Sequence, residues 1–334
     1  MKPSATFWAV RSMATIGCTM FGSIVAITVG CGGPTDNASR PPAANVVMEA
    51  NDVEATVHSG IPQPLDWETH AKVRRDNEGH ITSLDFRGGS FEASLASPLS
   101  RLPKLTVLRF GKDSGEPVDD SLFDSFAGGL DAVKVLAIDF QPISGTAIRS
   151  MPEAAPLVEL YAAATNLDDS VDWLEGRSGL KKLRISQTNV GVKVCRQLAM
   201  LPSLETLDAS GCSNVDDAAV AELAPISTLS DLNIYDTPIT DAAAAAIAKM
   251  TQLKRLNLDK TAIGDQGVAE LRTLQDLEFL HLGSTRITDA SADSLAEMKG
   301  LKTLIVTRTE MTEAAVAKIA ESLPECEIQL QYQP

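Results

Sequence analysis

Leu229 Ser230 Asp231 Leu232 Asn233 Ile234, Leu253 Lys254 Arg255 Leu256 Asn257 Leu258 and Leu277 Glu278 Phe279 Leu280 His281 Leu282 carry apolar residues at their first, fourth and sixth places and lie 24 residues apart. Read outward from these three, the same opening recurs at Ile81, Leu105, Val133, Leu157, Leu180, Leu204 and Leu301, making ten openings in all. The ten are separated by 24, 28, 24, 23, 24, 25, 24, 24 and 24 residues. A unit this short cannot bury its own apolar side, whereas stacked units share one continuous core. The period therefore predicts an α/β solenoid of about ten repeats, a fold that is mostly surface.

The remainder of each unit repeats as well. Eight residues after the opening stand Thr165, Thr188, Cys212, Thr237, Thr261, Thr285 and Thr309. An inward hydroxyl or thiol at that place can hydrogen-bond the backbone of the turn that leaves the strand, whose polar groups would otherwise be buried unpaired. Two residues later come Leu167, Val190, Ile239, Ile263, Ile287 and Met311. Thr240 Asp241, Thr288 Asp289 and Thr312 Glu313 follow as helix starts, a capping hydroxyl ahead of a carboxylate that favours the positive end of the helix dipole. Ala-rich stretches such as Asp241 to Met250 complete the unit, with Ile247 and Met250 on one apolar stripe. Each unit reads as strand, turn, helix and return.

The L-x-x-L-x-L openings and the Thr/Cys column resemble those of bacterial leucine-rich-repeat proteins of the ribonuclease-inhibitor-like or cysteine-containing type. The resemblance implies a curved solenoid with a parallel sheet on the concave face and helices on the convex one. Ten strands spaced about 4.8 Å apart would span roughly 45 to 50 Å. It implies a binding scaffold and names no ligand.

The expected organisation has five parts. Residues 1–31 read as a signal peptide: Lys2 and Arg11 precede the uncharged stretch Ser12 to Gly30, and Thr28 Val29 Gly30 Cys31 resembles the lipobox at which bacterial lipoproteins are cut and acylated, with Thr28 where Leu is usual. The alternative is an uncleaved anchor helix, since these 19 residues nearly suffice to cross a bilayer. Residues 32–52, with Pro41 Pro42, read as a flexible linker. Residues 53–80 read as a cap in which Ala71 to Arg75 and the turn Asp76 Asn77 Glu78 Gly79 lead into the first repeat as a hairpin. The solenoid is assigned to residues 81–325, and residues 326–334, where Cys326, Ile328 and Leu330 alternate, to a closing strand. This places the repeats outside the cytoplasm, as an exported lipoprotein facing the periplasm or the cell surface.

Composition narrows the function. Without Lys2 and Arg11 the chain has 27 basic against 44 acidic residues, a net charge of −17, which repels phosphate backbones and argues against nucleic acid as a partner. Aromatics make up 4% of the chain, as expected where flat repeat interfaces leave few places for rings. Cys195 and Cys212 fall on inward positions and read as small apolar core residues. No Cys-x-x-Cys, G-x-S-x-G or Gly-rich phosphate loop occurs, and His58, His70, His80 and His281 have no metal-ligand spacing, so no catalytic, cofactor or metal site is assigned. The acid pairs Asp119 Asp120, Asp168 Asp169 and Asp216 Asp217 stand where helices begin and read as caps.

Function is then expected on the outward strand positions. Opposite charges at neighbouring places, Lys181 with Glu205, Glu278 with Lys254 and Lys302, Arg184 with Asp208, and Asp231 with Arg255, are expected to pair laterally. What remains is a patch on repeats seven to nine, Asn233, Tyr235, Asn257, Phe279 and His281, whose rings and amides suit an interface. The expectation is a non-catalytic scaffold of the cell envelope that binds a protein partner on its concave face. Binding of a glycan or small molecule by the same patch is the alternative, and it would require a deep local pocket.

Overall fold

The computed structural model describes residues 65–169 and 172–331. Residues 1–64 lie outside that range, and with them the leader, Cys31, the linker and the start of the cap region. Twelve strands form one sheet in chain order. They are β1 (Lys72–Arg75), β2 (Ile81–Asp85), β3 (Val107–Phe110), β4 (Val135–Ile138), β5 (Glu159–Tyr161), β6 (Lys182–Arg184), β7 (Thr206–Asp208), β8 (Asp231–Asn233), β9 (Arg255–Asn257), β10 (Phe279–His281), β11 (Thr303–Ile305) and β12 (Glu327–Gln329). β1 pairs antiparallel with β2 as a hairpin at one edge. Every later pairing is parallel, so each step requires a crossover, which runs along the other side of the sheet.

Crossover helices are α1 (Ala96–Leu99), α2 (Asp120–Ala127), α3 (Gly145–Ile148), α4 (Val192–Leu198), α5 (Asp217–Leu223), α6 (Asp241–Ile247), α7 (Asp265–Leu271), α8 (Ala292–Ala296) and α9 (Glu313–Ser322). The core lies between helices and sheet. Leu183, Leu207, Leu232, Leu256, Leu280 and Leu304 occupy equivalent positions on successive strands, all at most 1% exposed. Each such leucine contributes on the order of 1.5–3 kcal/mol by leaving water. The unit between β5 and β6 departs from the expected scheme, with no helix among its described residues. Its sequence carries Gly176 and Gly179 in place of an Ala-rich run, and the buried Trp173 fills the space of an apolar stripe. Arg177 donates there to the carbonyls of Pro152 at 2.7 Å and Met151 at 3.3 Å.

Aromatic residues also depart from expectation at the irregular end. Phe86, Phe91, Phe110 and Phe126 form a buried cluster with ring centroids 5.0 to 6.2 Å apart. Rings fill the first repeats, where the spacing is uneven, and leucine fills the regular ones.

The turn after each strand sets the repeat. Phe140, Ala164, Gln187, Asp236, Lys260, Ser284 and Arg308 adopt left-handed backbone with φ between 52° and 63°, and Gly211 takes the same place at 69°. An L-residue there pays about 1–2 kcal/mol in steric strain. The next residue in the column holds the turn: Thr165, Thr188, Thr237, Thr261, Thr285 and Thr309 each donate a side-chain hydroxyl to the carbonyl three residues earlier, at 2.6 to 2.8 Å. Cys212 instead donates its thiol back to Ile185 O of the preceding repeat at 3.1 Å.

On the helical side the acid pairs do more than cap. Asp119 and Asp216 accept from the N–H groups of Leu122 and Ala219 in their own helices. The second acid reaches forward one repeat: Asp217 accepts from the N–H and hydroxyl of Thr240, both at 2.7 Å, and Asp265 from those of Thr288, both at 2.8 Å. Asp169 caps α4 from outside by accepting from the N–H groups of Gly191 and Val194. Where a helix start carries such an acid, its carboxylate ties that start to the next.

Two tests follow from these contacts. Thr261→Val keeps the volume but removes the shorter of two hydrogen bonds to the Leu258 carbonyl, which still accepts from the Thr261 N–H at 3.2 Å, and should cost about 0.5–1.5 kcal/mol in chemical denaturation; an unchanged midpoint would remove the hydroxyl from the account. Burial raises the Asp265 carboxyl, and donation from Ser291 and Thr288 outweighs it, leaving the group below its ordinary value. A depressed carboxyl stabilises above its unfolded value of about 3.9 and loses that contribution as pH falls through the folded value. Asp265→Asn should therefore be less stable at pH 7, with a shallower loss of stability below about pH 4.

Candidate functional site on the sheet face

The outward side chains of β8, β9 and β10 lie in register. Asn233, Asn257 and His281 form one row across the three strands, and Asp231, Arg255 and Phe279 the row below. Tyr235 leaves the row, because it follows the strand by two residues. The structure thus brings Asn233, Asn257, Phe279 and His281 onto one surface, with Tyr235 at its margin.

Neither ring is bare. The Arg255 guanidinium lies 4.3 Å from the Phe279 ring centroid while its Nε approaches Asp231 Oδ2 at 3.4 Å, and the Lys260 ammonium lies 4.8 Å from the Tyr235 centroid and donates to its hydroxyl. These are cation–π contacts, worth about 0.5–1 kcal/mol at exposed sites. The amides are partly engaged: Asn233 Nδ2 donates to Asp208 Oδ1 at 3.0 Å, and Asn257 Oδ1 accepts from the Asp259 N–H at 3.0 Å. The surface is therefore an aromatic and amide patch threaded by cations. A depression of about 160 Å³ lined by Asp231, Asn233, Arg255, Leu256, Asn257 and Phe279 lies within it.

The lateral charge pairs are formed in part as expected. Lys181 reaches Glu205 at 2.7 Å, Lys302 reaches Glu278 at 2.8 Å, and Arg255 pairs with Asp231. Lys254 turns instead to Asp276 at 3.5 Å, since Glu278 is taken by Lys302. Arg184 does not pair with Asp208. Its Nε lies 3.3 Å from Asp139 Oδ1 and its terminal nitrogen pairs with Oδ2, because Asp208 is held by the Ser210 hydroxyl at 2.7 Å and by Asn233.

Sequence reading missed Asp259, Gly283 and Thr307 beside His281. Asp259 is 5% exposed and approaches His281 Nε2 at 3.8 Å through Oδ2. Burial holds the His281 ring below the ordinary histidine range, Asp259 acts against that, and the charge of Arg308 adds to it. A glycine in the column that elsewhere holds Ser186, Ser210 and Tyr235 is the signal that could have found them.

Other reactive groups are accounted for structurally. Burial pushes the Cys195 thiol up to about 12 and raises that of Cys212 as well, which disfavours the thiolate form at both. Asp76, Glu78 and His80 meet within 4.8 Å on the exposed hairpin turn, where Asp76 accepts from the N–H groups of Glu78 and His80 as a turn former. Among the described residues no helix is long and apolar enough to cross a membrane.

A family model described as Leucine Rich repeat matches residues 249–271, which run from the end of α6 through β9 to the end of α7. The chain folds as a leucine-rich-repeat solenoid. An internalin from Listeria monocytogenes resembles it at 18% identity and a TM-score of 0.48, over 76% of this chain and 87% of that one. The Arabidopsis receptor kinase HAESA, solved with the peptide hormone IDA and the co-receptor SERK1, resembles the solenoid at 16% identity and a TM-score of 0.50, over 72% of this chain and 40% of that one. No curated protein matches the chain.

The Arg184 pairing yields a test. Exchanging Arg184→Asp with Asp208→Arg sets a carboxylate against the buried Asp139 and should lower stability by about 2 kcal/mol or more. A denaturation midpoint equal to that of the parent would contradict the pairing.

Proposed function

We propose that the chain is a non-catalytic protein-interaction scaffold of the bacterial cell envelope and binds a protein partner on the concave sheet face. The observation that carries this is the in-register patch of Asn233, Asn257, His281 and Phe279, with Tyr235 at its edge: rings and amides on a rigid sheet, beside charges that already pair with one another. The HAESA structure, which holds a peptide hormone and a co-receptor, is a use of the same fold in this sense. A small ligand or glycan fits less well, because the depression of about 160 Å³ falls below the roughly 300–1,000 Å³ of typical ligand pockets. The export reading, with lipid on Cys31 and the repeats of the ribonuclease-inhibitor-like type, rests on the leader and repeat motifs in the sequence. It supplies the compartment in which the partner is sought.

The exported domain, immobilised and exposed to envelope extract, should retain a partner identified by mass spectrometry. Tyr235→Ala with Phe279→Ala should weaken that complex by about 2 kcal/mol or more without changing the fold. Retention unaltered by the double variant would move the site off this face. Cys31→Ala should leave the full-length precursor unprocessed and without lipid by intact mass; normal processing of that variant would end the lipoprotein reading.

A further inference from the structure

The buried leucine column of the sheet ends on two half-buried aliphatic residues. Leu84 aligns with Val73 on β1 and Leu304 with Ile328 on β12, the two edge strands, and among the described residues neither strand has a neighbour on its outer side. Backbone groups at both edges are aimed outward as well. The Glu327 N–H donates to Lys302 O at 2.8 Å and the Val306 N–H donates to Gln329 O at 2.9 Å, so Glu327 and Gln329 face β11, and Ile328 between them turns its N–H and C=O away from the sheet. On the other edge the Thr106 N–H donates to Thr82 O and the Phe86 N–H to Arg109 O, which turns Thr82, Leu84 and Phe86 towards β3. Ser83 and Asp85 then face β1 and meet Arg74 and Lys72, leaving the N–H and C=O of Val73 on the open side. Each edge offers one donor and one acceptor at the residue that ends the leucine column.

The charges of the two edges are opposite. Arg75 is held by Glu68 at 2.9 Å, whereas Lys72 and Arg74, on either side of Val73, are exposed and in no ion pair among the described residues. At the far end Glu327 precedes Ile328 and, with Glu313 of α9, borders an open depression of about 360 Å³ whose apolar lining is Val316, Ile328 and Leu330. Charged edge strands keep sheets from joining at random. Here they oppose two pairings and permit a third: β1 against β1 sets cations on cations, β12 against β12 sets carboxylates on carboxylates, and β12 against β1 brings opposite signs together.

We propose that copies of this chain associate end to end, β12 of one copy pairing antiparallel with β1 of the next. With Ile328 opposite Val73, the two residues exchange both N–H···O bonds, Glu327 stands opposite Arg74 on the outward face, and the two aliphatic side chains carry the leucine column across the junction. β1 already runs against β2, so antiparallel addition keeps both sheets in one sense. The contact is heterologous: a copy that has given its β12 still has β1 to offer, and assemblies lengthen with concentration. This goes beyond the reading of the concave face and does not rest on it. If both hold, each assembly presents several patches to a partner and gains avidity.

Sedimentation velocity of the full chain tests the junction. The sedimentation coefficient should rise as chain concentration goes from micromolar to millimolar, and fall back in high salt, as a contact between opposite charges does. Lys72→Glu with Arg74→Glu makes both edges acidic, and Glu313→Lys with Glu327→Lys makes both basic; each double variant should associate at least tenfold more weakly than the parent. All four side chains are exposed, so both variants should keep the parent's melting temperature. Mixed in equal amounts, the two variants again bring opposite charges to every junction and should recover the parent's association to within about threefold. A parent that stays monomeric at millimolar concentration, association retained by either double variant, or a mixture no more associated than its components would each overturn the proposal.

Discussion

A three-residue strand backed by a one- or two-turn helix cannot bury its own leucine, and every other feature of this molecule depends on that. Leu232, Leu256 and Leu280 become solvent-free because the strands on either side carry leucine in the same register. Burial is therefore a property of neighbours. Anything that displaces one repeat from the next, a shifted register or an altered turn, exposes apolar surface in two units at once. This explains why so many polar contacts span one repeat: the Thr240 and Thr288 groups held by Asp217 and Asp265 fix spacing on the helical side. The threonine hydroxyls fix the exit from the strand on the other.

The same constraint frees the outward sheet face. Its side chains contribute little to the core, so they can vary without unfolding the solenoid. What limits them is mutual charge, and most charged columns pair across strands. Asp259 is as buried as Asp139 and stands at the same point of its repeat, with Ile305 at the place from which Arg184 reaches Asp139.

Much of the fold was legible because it is written in periodic apolar residues, whose spacing reports directly on burial. The threonine column was legible for a related reason: one residue type recurs wherever one carbonyl must be satisfied. The left-handed column was not, since Phe140, Ala164, Gln187, Lys260 and Arg308 share a backbone conformation and no chemistry. The forward reach of Asp217 and Asp265 was hidden too, because a capping acid and a bridging acid look alike in sequence. Arg184 was assigned to its nearest opposite charge, Asp208, whereas competition from Ser210 and Asn233 sends it to Asp139. At the patch, register placed four of the five residues together, but the cations over Tyr235 and Phe279 depend on side-chain directions that spacing does not encode.

The central proposal is that the outward sheet face of repeats seven to nine is the partner surface. Hydroxyl-radical footprinting of the solenoid, alone and with its captured partner, tests it most directly, because Tyr235, Phe279 and His281 are reactive residues on that face and Met200, 80% exposed, lies on the opposite helical side as a reference. Slower modification of the three with an unchanged rate at Met200 is the predicted result. Protection of Met200 and the helix face, with Tyr235, Phe279 and His281 modified as fast as in the free chain, would contradict it.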